Sequence, residues 1–288
     1  MIGRAGCRGA ATIVSAIATG KGAAFGISLE TDAVVEVEEG SGDIVVRESA
    51  EDPSLAVQCV RAVASKTIKK KVEGEVHVRS DIPVSRGLKS SSAVSNAIVL
   101  AAARAFENDM SDMDILLTGI EESIKAGVTV TGAFDDASAC LLGGVVVTNN
   151  RSFTVLKQGR LDPDLEIVIH VPSRKITKAK VKELDFSPIR TKIDQAVDHA
   201  MKGEYLKAME LNSRAYSKVL DVSEDAAELA RKNGALAAGI SGTGPATVAL
   251  CQPGEAGSVS KAWEMLEGTV MRARMNETPA KEVVPRLL

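Results

Sequence analysis

Aromatic side chains are scarce in this chain, with one Trp, two Tyr and five Phe among 288 residues. Proteins that hold single-stranded nucleic acid stack bases on such rings, and those that track a phosphodiester backbone present a basic field. Here 35 Lys and Arg face 38 Asp and Glu, a formal charge of −3. Both deficits argue against a nucleic-acid partner.

Cysteine is also sparse: Cys7, Cys59, Cys140 and Cys251 lie far apart, with no C-x-x-C pair. Neither a structural zinc site nor a disulfide framework follows, and reduced, partly buried thiols in a cytoplasmic protein fit best. His77, His170 and His199 are equally scattered, which favours structural or surface roles over metal ligation. The longest uncharged run, residues 233–254, would span a bilayer by length alone. It contains Gly234, Gly239, Gly242, Gly244, Pro245 and Pro253, so its backbone could not stay paired in lipid. Arg4 and Arg8 precede a mildly apolar stretch, residues 9–20. Gly, Thr and Ser dilute it too far for a signal-peptide core. No membrane association is expected, and the composition is compatible with a homo-oligomer.

What remains is a globular chain, 45% hydrophobic and 25% charged, long enough for two packed lobes. Glycine punctuates residues 3–26. Residues 33–38 then alternate as a strand, with Val35 and Val37 on one face and Glu36 and Glu38 on the other. Residues 44–47 read as its hairpin partner. An amphipathic helix follows over 55–70, a short strand over 75–78, and a nearly all-apolar helix over 92–108. Ser111 and Asp114 form a capping-box pattern that opens a helix to about Ala126. Strands are expected at 128–131, 144–148, 153–156, 166–171, 246–251 and 269–275. Short helices are expected after Asp136 and up to Trp263, with two or three more across 188–232. Strands and helices mix without regular alternation, the mark of an α+β protein. The join between lobes is expected between Asn149 and Asp164, dividing the chain into domains 1–155 and 156–288.

The chemistry concentrates in three Gly-rich segments, residues 20–26, 83–93 and 239–245. The middle one reads Pro83, Val84, Ser85, Arg86, Gly87, Leu88, Lys89, Ser90, Ser91, Ser92, Ala93 and runs straight into the apolar helix. A helix N-terminus offers unpaired N–H groups and the positive end of the macrodipole, which suits a phosphate. Lys89 and Arg86 can add charge. The ordinary alternative is a Ser N-cap on a buried helix, and for the third segment a tight turn. The G-x-x-x-x-G-K-[ST] loop, the Rossmann fingerprint, G-x-S-x-G and H-E-x-x-H are all absent.

Asp135 and Asp136 are adjacent carboxylates in an otherwise uncharged segment. They can serve as first-turn acids of a short helix. Equally, one can orient or deprotonate a substrate hydroxyl beside a transferring phosphate, with Lys21 as a candidate cation to keep it ionised.

These features together resemble the GHMP superfamily of small-molecule kinases and, within it, the archaeal-type shikimate kinase branch. The family's middle motif, roughly P-x-x-x-G-L-G-S-S-A-A, is matched by Pro83, Gly87, Leu88, Ser90, Ser91 and Ala93. Lys89 stands where the family has glycine, and Ser92 where it has alanine. The last motif is matched by Gly239, Ser241, Gly242, Gly244 and Pro245, and the run over 16–26 points to the same branch. The resemblance implies a two-lobed fold, ribosomal-S5-domain-2-like at the N-terminus and ferredoxin-like at the C-terminus. It implies that ATP binds under residues 83–93, with Gly242, Thr243 and Gly244 contributing. Mg²⁺ would be held by Ser91, with Ser90 beside it, and shikimate would accept the phosphoryl group. Counting back from Gly143 favours Asp136 as the catalytic acid, and counting forward from Gly132 favours Asp135; Asp136 is preferred. Lys21 would assist it or pair with the substrate carboxylate. The alternatives are another GHMP activity, of homoserine or mevalonate type, a non-catalytic nucleotide sensor, and a structural protein.

Overall fold

The computed structural model describes residues 1–48, 52–129, 132–174, 181 and 183–286. Two sheets organise it. The first is built on one long strand, β2 (Lys21–Glu39), flanked along one side by the antiparallel β1 (Ile2–Val14). Its other side is shared. β5 (Val145–Asn149) pairs with residues 21–25, and β4 (Val72–Ser80) pairs with residues 31–39. β3 (Ile44–Arg47) lies outside β4, and β6 (Thr154–Gly159) lies outside β5.

Val35 and Val37 are buried while Glu36 and Glu38 are exposed, as the alternation requires. The expected hairpin between residues 33–38 and 44–47 does not form. Both edges of β2 are already occupied by β1 and β4, so β3 joins the sheet as a parallel neighbour of β4. No strand forms at Val128 and Thr129, which are bend and coil; the remainder of that expected strand lies outside the described residues.

Four helices cover this sheet: α1 (Pro53–Thr67), α2 (Ser90–Ala105), α3 (Asp112–Lys125) and α4 (Phe134–Leu142). α2 packs on β1 and β2 and between α1 and α3. Its length of Ala, Ile, Val and Leu is buried almost all round, so it is the central helix that its composition demands.

The second sheet is four-stranded and antiparallel, ordered β10-β7-β9-β8, from β7 (Glu166–Val171), β8 (Ala235–Ile240), β9 (Thr247–Cys251) and β10 (Thr269–Arg274). Helices α5 (Arg190–Lys202), α6 (Tyr205–Leu220) and α7 (Asp225–Lys232) separate β7 from β8, and α8 (Ala256–Trp263) separates β9 from β10. Sheet membership changes between Gly159 and Glu166, because β6 still pairs with β5. The layers meet where α5 and α6 pack against β1, so the two lobes share one core. All four cysteines are buried free thiols. No helix among the described residues is long and apolar enough to cross a membrane.

Candidate active site

Close approaches join the second and third Gly-rich segments to each other and the first to Asp135. The residue 20–26 segment is the start of β2 rather than a loop. A Cβ on Gly22 would stand 2.2 Å from Oδ2 of Asp135, so glycine there makes room for the acid. Gly87 has φ +88°, and a Cβ on it would meet the carbonyl oxygen of Ser241 at 2.0 Å. Only glycine satisfies both demands. Ser241 locks the contact by donating from Oγ to the Gly87 carbonyl at 2.6 Å. Thr12 completes it, its Oγ1 accepting from the Gly242 amide at 2.8 Å.

The cleft between the second and third of these segments has a volume of about 510 Å³, and no residue of 20–26 lines it. Pro83, Ser85, Gly87, Leu88 and Lys89 line it, followed by Ser90, Ser91 and Ser92 from the first turn of α2. Gly242, Thr243 and Gly244 face them from the loop between β8 and β9, and Asp135 and Asp136 close the floor from the first turn of α4. Val84 and Ala93 belong to the same segment but do not line the cleft. Nor does Arg86. Its guanidinium donates to the backbone carbonyl of Arg174, and its own carbonyl accepts from Ala246. It ties the loop to the second lobe and adds no charge to the cleft lining.

The ordinary N-cap reading fails at α2. The cap position is Lys89, not a serine, and it holds φ +66°, ψ +29° with no side-chain bond to the helix. The N–H groups of the first turn therefore have no side-chain cap and open on the cleft. The Ser90 hydroxyl is buried there without a hydrogen-bond partner.

The two acids differ sharply. Asp135 is buried and accepts from Asn150 Nδ2 at 2.8 Å. Burial, then the neighbouring Asp136 charge, pushes its carboxyl up to about 7, against the opposing pull of Lys89 and the Asn150 bond. Asp136 keeps a partly exposed carboxylate, with the Lys89 ammonium 2.8 Å from Oδ1. The cation beside the acids is thus Lys89. Lys21, the residue expected there, is exposed at the first position of β2, paired in register with Asn149.

Several lining residues carry no local signal: Ser15 after β1, Asp52 before α1, and residues 126–129 after α3; Ala16 and Ile17 beside Ser15 belong to the run over 16–26. Asn150 carries no local signal either, since nothing in the sequence around it ties it to Asp135.

Comparison with known proteins identifies the family. The GHMP kinases N terminal domain matches residues 54–144, and the GHMP kinases C terminal domain matches residues 195–266. A shikimate kinase of Methanothrix thermoacetophila is 41% identical over 283 residues, covering 98% of this chain and 96% of its own. That of Pyrococcus furiosus is 38% identical over 256 residues, covering 88% and 92%. Among solved structures, a homoserine kinase from Cytophaga hutchinsonii superposes with a TM-score of 0.77 at 17% identity, covering 96% of each chain. An L. major mevalonate kinase in complex with R-mevalonate superposes at 0.76 and 18% identity, covering 96% of this chain and 97% of its own. At such identities these two show the fold alone. The chain belongs to the GHMP kinase family. Its full-length relatives place it beside the shikimate kinases within that family.

Proposed function

We propose that this protein is a shikimate kinase, transferring the γ-phosphoryl group of ATP to the 3-hydroxyl of shikimate to give shikimate 3-phosphate and ADP. The reading places it in aromatic amino-acid biosynthesis. The observation that carries the chemistry is the convergence of an uncapped helix N-terminus and a partly exposed carboxylate, Asp136, on one cleft. The choice of acceptor rests on the near-full-length similarity to shikimate kinases.

The α2 amides, with the hydroxyls of Ser90 and Ser91, cradle the phosphates, and the loop bearing Gly242, Thr243 and Gly244 bounds them opposite. Asp136 orients the acceptor hydroxyl and takes its proton as the new O–P bond forms. The bond from the γ-phosphorus to its bridging oxygen breaks, and its electron pair leaves with ADP. Asp135, held by Asn150, supports the floor without meeting the acceptor.

Residues at the site fit a magnesium ion. The buried Ser90 hydroxyl lacks a partner, and no group of three or more His, Cys, Asp or Glu converges among the described residues. An ion bound through phosphate oxygens, water and one or two protein oxygens suits such a donor set. Ser91, with Ser90 beside it, would hold it. When bound, Mg²⁺ supplies positive charge against the transferring phosphoryl group.

ADP release measured with ATP and, in turn, shikimate, homoserine, mevalonate and no acceptor tests the reading. Turnover with shikimate well above the others is expected; none with shikimate overturns it. Asp136→Asn is expected to lower turnover about 100-fold or more while nucleotide binding persists. A loss under about tenfold in both Asp136→Asn and Asp135→Asn removes the acid pair from the mechanism.

A further inference from the structure

Lys89 occupies a backbone position that suits glycine. Its φ of +66° is one that L side chains adopt at a cost and glycine adopts freely. The side chain is not a surface appendage either, being only 5% exposed. Its ammonium reaches from the start of α2 to the first turn of α4, ending 2.8 Å from Asp136 Oδ1. The third segment leaves space for it, since a Cβ on Gly242 would come within 3.0 Å of Nζ. A lysine beside a helix N-terminus commonly serves as a phosphate anchor. Here the contact it makes is a carboxylate, and three chain segments enclose it.

We infer that Lys89 is the positioning residue for Asp136, holding that carboxylate at the angle from which it meets the acceptor hydroxyl. The inference rests on the kinase reading of the cleft and names a group that acts through Asp136 rather than on the nucleotide. The ion pair engages Oδ1, a buried oxygen with no hydrogen bond of its own, and leaves the other carboxylate oxygen for the hydroxyl. Enclosure removes the rotamer freedom that a surface lysine would keep, so the acid is aimed before substrate arrives. The backbone strain at Lys89 is then retained for function.

The role separates from phosphate anchoring in kinetics. Lys89→Met keeps shape without charge, and Lys89→Gly relieves the backbone, so its turn can still form. Both are expected to lower kcat about 30- to 100-fold, with KM for ATP within about twofold of wild type, since the lost contact acts on the chemical step. Lys89→Arg should recover part of the loss. In the Lys89→Met, Asp136→Asn double variant the two effects should merge, falling little below Asp136→Asn alone. A rise of tenfold or more in KM for ATP, with losses that multiply in the double variant, overturns the inference and makes Lys89 a phosphate anchor. Unchanged kcat in Lys89→Gly overturns it as well. Failure of the kinase reading looks different, because wild-type protein would then release no ADP with any acceptor.

Discussion

Four helices cover the first sheet, and they begin in two different ways. α1 and α3 are capped conventionally. Asp52 accepts from the Ser54 amide at 2.9 Å, and Ser111 accepts from the Asp114 amide at 3.1 Å. α2 and α4 begin on Lys89 and Ala133, both in left-handed backbone and neither with a side-chain cap. Caps stabilise a helix by about 1 kcal/mol, and a non-glycine residue in left-handed backbone costs about as much. The two uncapped starts face each other across the cleft, which the α1 cap Asp52 also lines while keeping its bond to the helix. Stability is given up where a ligand can supply the missing partners.

The comparison breaks most readily at Gly87. Alanine there combines φ +88° with a Cβ 2.0 Å from the Ser241 carbonyl, so the residue 83–89 loop must part from the residue 241–244 loop. We expect a loss of about 2–4 kcal/mol in stability and a KM for ATP raised at least about tenfold. Denaturant melts and steady-state kinetics check both. An unchanged KM would show that the two loops do not act together on the nucleotide.

A smaller effect separates the two acids on α4. The Asp135 carboxyl is pushed above its unfolded value of 3.8, to about 7, so the folded chain binds a proton more tightly there than the unfolded chain. The contribution to stability is therefore full below about pH 4, declines as pH rises toward 7, and stays low above it. Asp135→Asn removes this dependence and keeps a side-chain oxygen to accept from Asn150. Wild type and variant should diverge in Tm by several degrees between pH 4 and 8, wild type falling further. A gap that stays constant with pH would place the ionisation elsewhere.

How much of this was legible from the chain alone depends on whether the cause is local. The Ser111 cap and the apolar stripe after it gave α3 to within a residue, and β7 falls at residues 166–171 as read. β1, the first half of β2 and β8 escaped. They are rich in Gly and Ala, weak strand formers, and buried on both faces, so no alternation betrays them. The pairing of β3 escaped for another reason: strand order is settled by distant partners. The Gly- and Ser-rich loop before α2 was legible because those residues leave a local signature. Asn150 and the choice of Lys89 over Lys21 were not, since which side chain reaches an acid depends on where the fold carries it.

The smallest effect sharpens the comparison from the capped side. Ser111 is exposed, remote in sequence from the cleft segments, and holds the start of α3 through the Asp114 amide and carboxylate. Ser111→Ala should cost about 1 kcal/mol, about 2–4 °C in Tm for a chain of this size, with kcat and both KM values unchanged. Lys89→Gly should do the reverse, leaving Tm nearly level because relief of the left-handed strain offsets the lost ion pair, while kcat falls. If Ser111→Ala also lowered kcat, α3 would be part of the machinery, and the division between helices that hold the lobe together and helices that face the ligand would fail.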